Sequence, residues 1–112
     1  MRLNIKVNIE YRVIKLPSEV SKQDFEPEYF SMTKNLSAGG LVFVAKEQIL
    51  IGAIVELKIQ LPGIKERIEC LARVVRIEEV EAEKAYDTAV CFLDLSGADR
   101  AKLIKFVEEE IT

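Results

Sequence analysis

An all-β domain closed by one C-terminal helix is the fold class this sequence predicts, on three observations. Apolar residues recur at every second position through most of the chain, as they do in strands with one face in a core and one in water. Turn-forming pairs, Gly39-Gly40 and Pro62-Gly63, punctuate those runs at short spacing. In the tail the period lengthens to that of an amphipathic helix. Short antiparallel strands followed by such a helix suggest a small barrel with the helix over one open end.

Six strands are expected. The first spans residues 3–16, where Leu3, Ile5, Val7, Ile9, Tyr11 and Val13 alternate with polar residues until Pro17 and Ser18 break the run. Residues 18–28 are polar, carry Pro27 and read as a loop. The second strand, 29–37, sets Phe30, Met32 and Leu36 on one face. The third, 40–45, is the nearly unbroken apolar run Leu41 to Ala45, suited to burial on both sides or to a place beside a barrel seam. In the fourth, 53–61, Val55, Leu57, Ile59 and Leu61 alternate with Glu56, Lys58 and Gln60. The fifth, 65–78, carries Ile68, Cys70, Ala72 and Val74 on one face before Val75 and Ile77 take over the apolar role. Such a change of phase marks a β-bulge. Glu78 to Lys84 reads as a charged connection, and the sixth strand spans 86–94.

The helix is expected over 97–111. Ser96 is its N-cap, with Asp99 three residues on. Leu103, Ile104, Phe106, Val107 and Ile111 form its apolar stripe, while Glu108, Glu109 and Glu110 oppose the helix dipole at its end.

A chain of 112 residues with 49% hydrophobic and 31% charged residues reads as one globular domain. No apolar run is long enough to cross a bilayer, so no membrane insertion is expected, and the N-terminus lacks the apolar core of a signal peptide. There is no histidine, which removes the commonest general base and the commonest metal ligand together. Ser37 and Ser96 have no base to activate them, so neither an enzyme nor a metal or cofactor site is expected. Cys70 and Cys91 lie in strand positions and read as buried free thiols in a reducing cytoplasm, with a disulfide between them as the lesser alternative.

A net charge of −3 argues against general DNA binding, whose affinity comes largely from neutralising phosphates. Arg2, Lys6, Arg12 and Lys15 nonetheless outweigh the single acid Glu10 in the first sixteen residues, enough to hold a small anion. Arg2 and Lys6 also suit the solvated face of a first strand. The stretch Asn35-Leu36-Ser37-Ala38-Gly39-Gly40 joins short polar side chains to two glycines. It suits a plain strand-to-strand turn. It also suits a place where a ligand or another backbone comes close, since glycine allows positive φ and close approach.

Taken in order, these segments resemble the PilZ domain family over nearly the whole chain. The family's [D/N]-x-S-x-x-G turn is complete in Asn35, Ser37 and Gly40, with Gly39 beside it. Gly52 to Ile59, Arg73-Val74-Val75-Arg76 and Ala89 to Phe92 resemble the family's supporting strands. Its R-x-x-x-R element is matched by Arg2 to Lys6, with lysine in the second place. The resemblance implies a six-stranded antiparallel barrel capped by the helix, in a bacterial cytoplasmic receptor for the second messenger cyclic di-GMP. It implies that Arg2 and Lys6 meet phosphates and guanines, and that Asn35 and Ser37 bond a guanine base at the Gly39-Gly40 turn. Lysine keeps the charge but loses the planar fork, which weakens that part of the site. The resemblance also implies an unnamed downstream protein partner. Some members have lost the nucleotide and serve as protein–protein adaptors.

Overall fold

The computed structural model of the chain describes residues 2–15 and 28–111. Six strands and a helix follow in order: β1 (Asn8–Lys15), β2 (Tyr29–Leu36), β3 (Gly40–Ala45), β4 (Ile54–Gln60), β5 (Ile68–Glu81), β6 (Ala85–Phe92) and α1 (Gly97–Ile111). The strands close into a barrel in the order β1-β2-β3-β6-β5-β4, with β4 returning to β1 and every neighbouring pair antiparallel. Closure leaves the ladder without a long open edge.

The period-two pattern fixes what faces inward. Val7, Ile9 and Tyr11, then Val55, Leu57, Ile59 and Leu61, then Ile68, Cys70, Ala72 and Val74 are all buried. Phe43 fills the middle, its ring centroid 4.6 Å from that of Tyr11. β3 is buried at Leu41, Phe43 and Ala45, which face the core, and also at Val42 on its other face.

Irregular registers account for most departures from simple alternation. A shift between Thr33 and Asn35 reverses the phase of β2. Leu36 is therefore buried while Phe30 and Met32 stand outside, at 79% and 46% exposure, and do not share its face. Thr33 takes the inward place. Its Oγ1 accepts from Val7 N–H at 2.9 Å and donates to Ile5 C=O at 2.7 Å, which makes a buried hydroxyl tolerable. β5 bulges between Val74 and Arg76; Ile77 turns inward, but Val75 is expelled to solvent and does not take an apolar role.

The ladder of β1 begins at Asn8 rather than at residue 3, because residues 2–7 leave β4 and are held by Thr33 and by a single bridge from Leu3 to Leu36. The charged stretch from Glu78 is strand as far as Glu81, since β6 pairs with it. Cys70 is buried as a free thiol, but Cys91 is exposed: its position on β6, opposite Gly40, turns it outward. The loop expected over residues 18–28 lies, apart from Glu28, outside the described residues.

Helix α1 starts where Ser96 Oγ accepts from Asp99 N–H at 3.1 Å. Leu103 and Phe106 join the barrel core and Val107 is buried, whereas Ile104, at 40% exposure, lies off the buried stripe. The helix spans the barrel end that holds the β2–β3 turn and the β4–β5 turn. Arg100 reaches the first through Ala38 O, and Lys102 approaches Glu66 in the second at 3.8 Å. The N-terminal segment arrives at the same end, through the Leu3–Leu36 bridge.

Candidate functional site

Antiparallel geometry builds the site. Leu3 and Leu36 exchange two backbone hydrogen bonds, each 2.9 Å, so the residue before Leu3 and the residue after Leu36 become neighbours. Those residues are Arg2 and Ser37. Around them lies a groove of about 290 Å³ lined by Arg2, Asn35, Ser37, Gly39 and Gly40, with Val75, Arg76 and Cys91 on its far wall. Arg2 and Arg76 are exposed, and neither has an ion-pair partner among the described residues. The Asn35 amide is half-buried and makes no hydrogen bond among them. Two guanidiniums and an amide without partners among the described residues, facing one concavity, favour an anion with hydrogen-bonding edges.

The turn is held in shape from within. Ser37 N–H donates to Gly40 O at 2.9 Å, and Ser37 Oγ donates to the same oxygen at 3.2 Å while accepting from Gly39 N–H at 3.3 Å. The two glycines serve different ends, and neither takes positive φ; among described glycines only Gly52 and Gly63 do. A Cβ on Gly40 would stand 2.0 Å from Val90 O of β6, so the β3–β6 seam itself requires glycine there. A Cβ on Gly39 would meet nothing within 4 Å, which leaves that position open toward the groove.

Of the six residues singled out from the sequence, Arg2, Asn35, Ser37, Gly39 and Gly40 line this one groove. Lys6 does not; its side chain is exposed on the N-terminal segment, outside the lining. Sequence reading missed Arg76, Val75 and Cys91. The signal was present in the bulge at Val74–Val75, which turns two successive residues outward. Nothing in the spacing, however, ties β5 to a turn so far upstream.

A larger hollow, about 580 Å³, lies at the opposite barrel end between Tyr11, Tyr29, Phe30 and Val44. Glu28 and Glu47 also line it, and the hydrogen bond from Lys58 lowers the Glu28 pKa and keeps it ionised. Lys46 lines it too, but one lysine beside two carboxylates suits an anion less well than the groove over the turn, which no carboxylate lines. Among the described residues no cluster of carboxylates and thiols has the makings of a metal site. None of their helices is long and apolar enough to cross a membrane.

A closed six-stranded barrel, helix-capped, with a basic groove over one turn, is the build of a small ligand-binding module. The chain belongs to the PilZ domain family, whose sequence model matches residues 9–109. That match begins after Arg2 and Lys6. No curated protein matches the chain. Among solved structures, the Bacillus subtilis inhibitor of motility MotI/DgrA is similar, with a TM-score of 0.75 and 20% identity over 98% of this chain and 49% of that one. The PilZ domain of Escherichia coli YcgR, solved with c-di-GMP, gives a TM-score of 0.67 and 14% identity over 99% and 91%. The PilZ domain of CeSA from a cellulose-synthesizing bacterium gives 0.64 and 16% over 100% and 99%. At these identities the likeness is one of fold. The chain spans about half the length of MotI/DgrA.

Proposed function

We propose that this domain is a cyclic di-GMP receptor module that acts in the bacterial cytoplasm and changes the surface it offers to a downstream protein when the nucleotide binds. The observation that carries the reading is the meeting of Arg2 with Asn35, Ser37 and the Gly39-Gly40 turn in one groove of a PilZ-family chain. The YcgR PilZ domain, of the same fold, has been solved with that nucleotide. In this reading Arg2 forks onto a phosphate or stacks on a guanine, and Arg76 supplies a second positive charge across the groove. Asn35 and Ser37 bond a guanine edge; the long bonds of the Ser37 hydroxyl leave it free to re-aim. Gly39 lets the ligand approach the backbone. Lys6 adds charge from the adjoining segment and comes into contact only when residues 2–7 settle over the ligand.

Calorimetric titration with cyclic di-GMP tests this. The parent binds; Arg2→Ala abolishes binding; Lys6→Arg tightens it by about tenfold, by restoring a forked, charge-assisted contact. A second reading, a nucleotide-free protein–protein adaptor, is favoured by one observation: Lys6 replaces the second arginine and stands outside the groove lining. No heat on titration of the parent, together with capture of a stable partner in the absence of nucleotide, decides for the adaptor.

A further inference from the structure

Three successive carbonyls of the turn are fastened to three different parts of the molecule. Gly40 O is held by Ser37 of the turn itself, Gly39 O accepts from Phe92 N–H of β6 at 3.0 Å, and Ala38 O accepts from Arg100 Nη1 of α1 at 2.9 Å. The last bond ties the turn directly to α1. Beside it, Ala38, Ile104, Val107 and Glu108 surround a shallow hollow of about 210 Å³, so apolar packing does not close tightly between turn and helix. Arg100 sits in the first turn of α1, its own N–H bonded to Ser96 O at 2.9 Å, so a pull on its side chain acts directly on the helix start.

We propose that Arg100 is a positioning residue that couples the nucleotide turn to α1, making the helix the element that reports occupancy of the groove. The inference rests on the cyclic di-GMP reading for its ligand, and it names the regulation of that same site. A nucleotide bonded by Asn35 and Ser37 restrains the turn; the restrained Ala38 carbonyl is a better-placed acceptor for Arg100; the first turns of α1 then fray less. Linkage requires reciprocity: whatever factor the nucleotide adds to the latch, loss of the latch removes from the affinity.

Hydrogen exchange on the whole chain, with and without cyclic di-GMP, tests this in parent, Arg100→Ala and Arg100→Lys. Without nucleotide, Arg100→Ala is expected to speed exchange about three- to tenfold at Gly39 and Phe92 and also at Leu103 and Ile104, the loss of one hydrogen bond felt on both sides. Arg100→Lys, which keeps a donor, restores part of it. With nucleotide, the parent slows exchange in the first turns of α1. Arg100→Ala slows it only at the turn and binds the nucleotide more weakly by the factor lost from the helix. Unchanged exchange at Gly39 and Phe92 in Arg100→Ala overturns the coupling, as does helix protection that persists without the arginine. A parent that binds no cyclic di-GMP overturns instead the reading on which the inference rests, and the nucleotide-free measurement still decides the coupling.

Discussion

Gly40→Ala gives the sharpest test of why the turn carries two glycines. The added Cβ would lie 2.0 Å from Val90 O, 3.1 Å from Val90 C and 3.3 Å from Cys91 Cα, all backbone atoms of β6. No rotamer change relieves such a contact. Val90 is paired with Leu41 on one side and Val74 on the other, so β6 cannot recede without disturbing β5. The carbonyl must move by about 1 Å or more, with overpacking at about 1–3 kcal/mol and one or two weakened seam bonds at about 1 kcal/mol each. A total near 3 kcal/mol lowers the melting temperature by about 10–20 °C in a domain of this size. Gly39→Ala is the control. Its Cβ meets nothing within 4 Å and its φ is not positive, so its stability stays within about 0.5 kcal/mol of the parent. Urea unfolding followed by far-ultraviolet circular dichroism reads both. Equal midpoints for the two variants would refute the steric account of Gly40.

Three further outcomes follow from groups in the barrel wall. Thr33→Val leaves Val7 N–H without its acceptor and Ile5 C=O without its donor. It should cost about 2 kcal/mol and speed hydrogen exchange over residues 3–7, and an unchanged denaturation midpoint would contradict it. One thiol, Cys91, should react with a disulfide reagent in the native protein, while Cys70 reacts only on unfolding. Burial pushes the Cys70 thiol from 9.0 up to about 12 and the Tyr11 phenol from 10.0 up to about 12. Both are kept neutral by the fold, so their contribution to stability is full below pH 9 and is lost as pH climbs from 9 toward 12. A midpoint that rises over that window would contradict this assignment.

The barrel and its helix were legible because most inward positions are apolar and alternate cleanly, as Val55 to Leu61 and Ile68 to Val74 do. What alternation cannot reveal is where the ladder slips. The shift at Thr33/Asn35 buries a threonine and exposes Phe30 and Met32, against their polarity, because the Thr33 hydroxyl satisfies two backbone groups of the N-terminal segment. The same limit hid half of the groove. Asn35, Ser37 and the glycines are adjacent in sequence and visible as a motif, while Arg76 and Cys91 arrive from β5 and β6 through pairing of Gly40 with Cys91 and Arg76 with Ala89. Gly40 was legible as a position of close approach, though the partner is β6 rather than positive φ or a ligand alone. Arg100 gave no sequence signal at all, because a helical arginine near an N-terminus is indistinguishable from any solvated cation until its acceptor is known.

Titration of the isotopically labelled domain with cyclic di-GMP, followed amide by amide, tests the central claim most directly. Saturable shifts concentrated at Asn35 to Gly40 and around Arg76, and absent in Arg2→Ala, are the predicted result. A titration that moves no amide at the turn, or one that Arg2→Ala leaves unaltered, contradicts it.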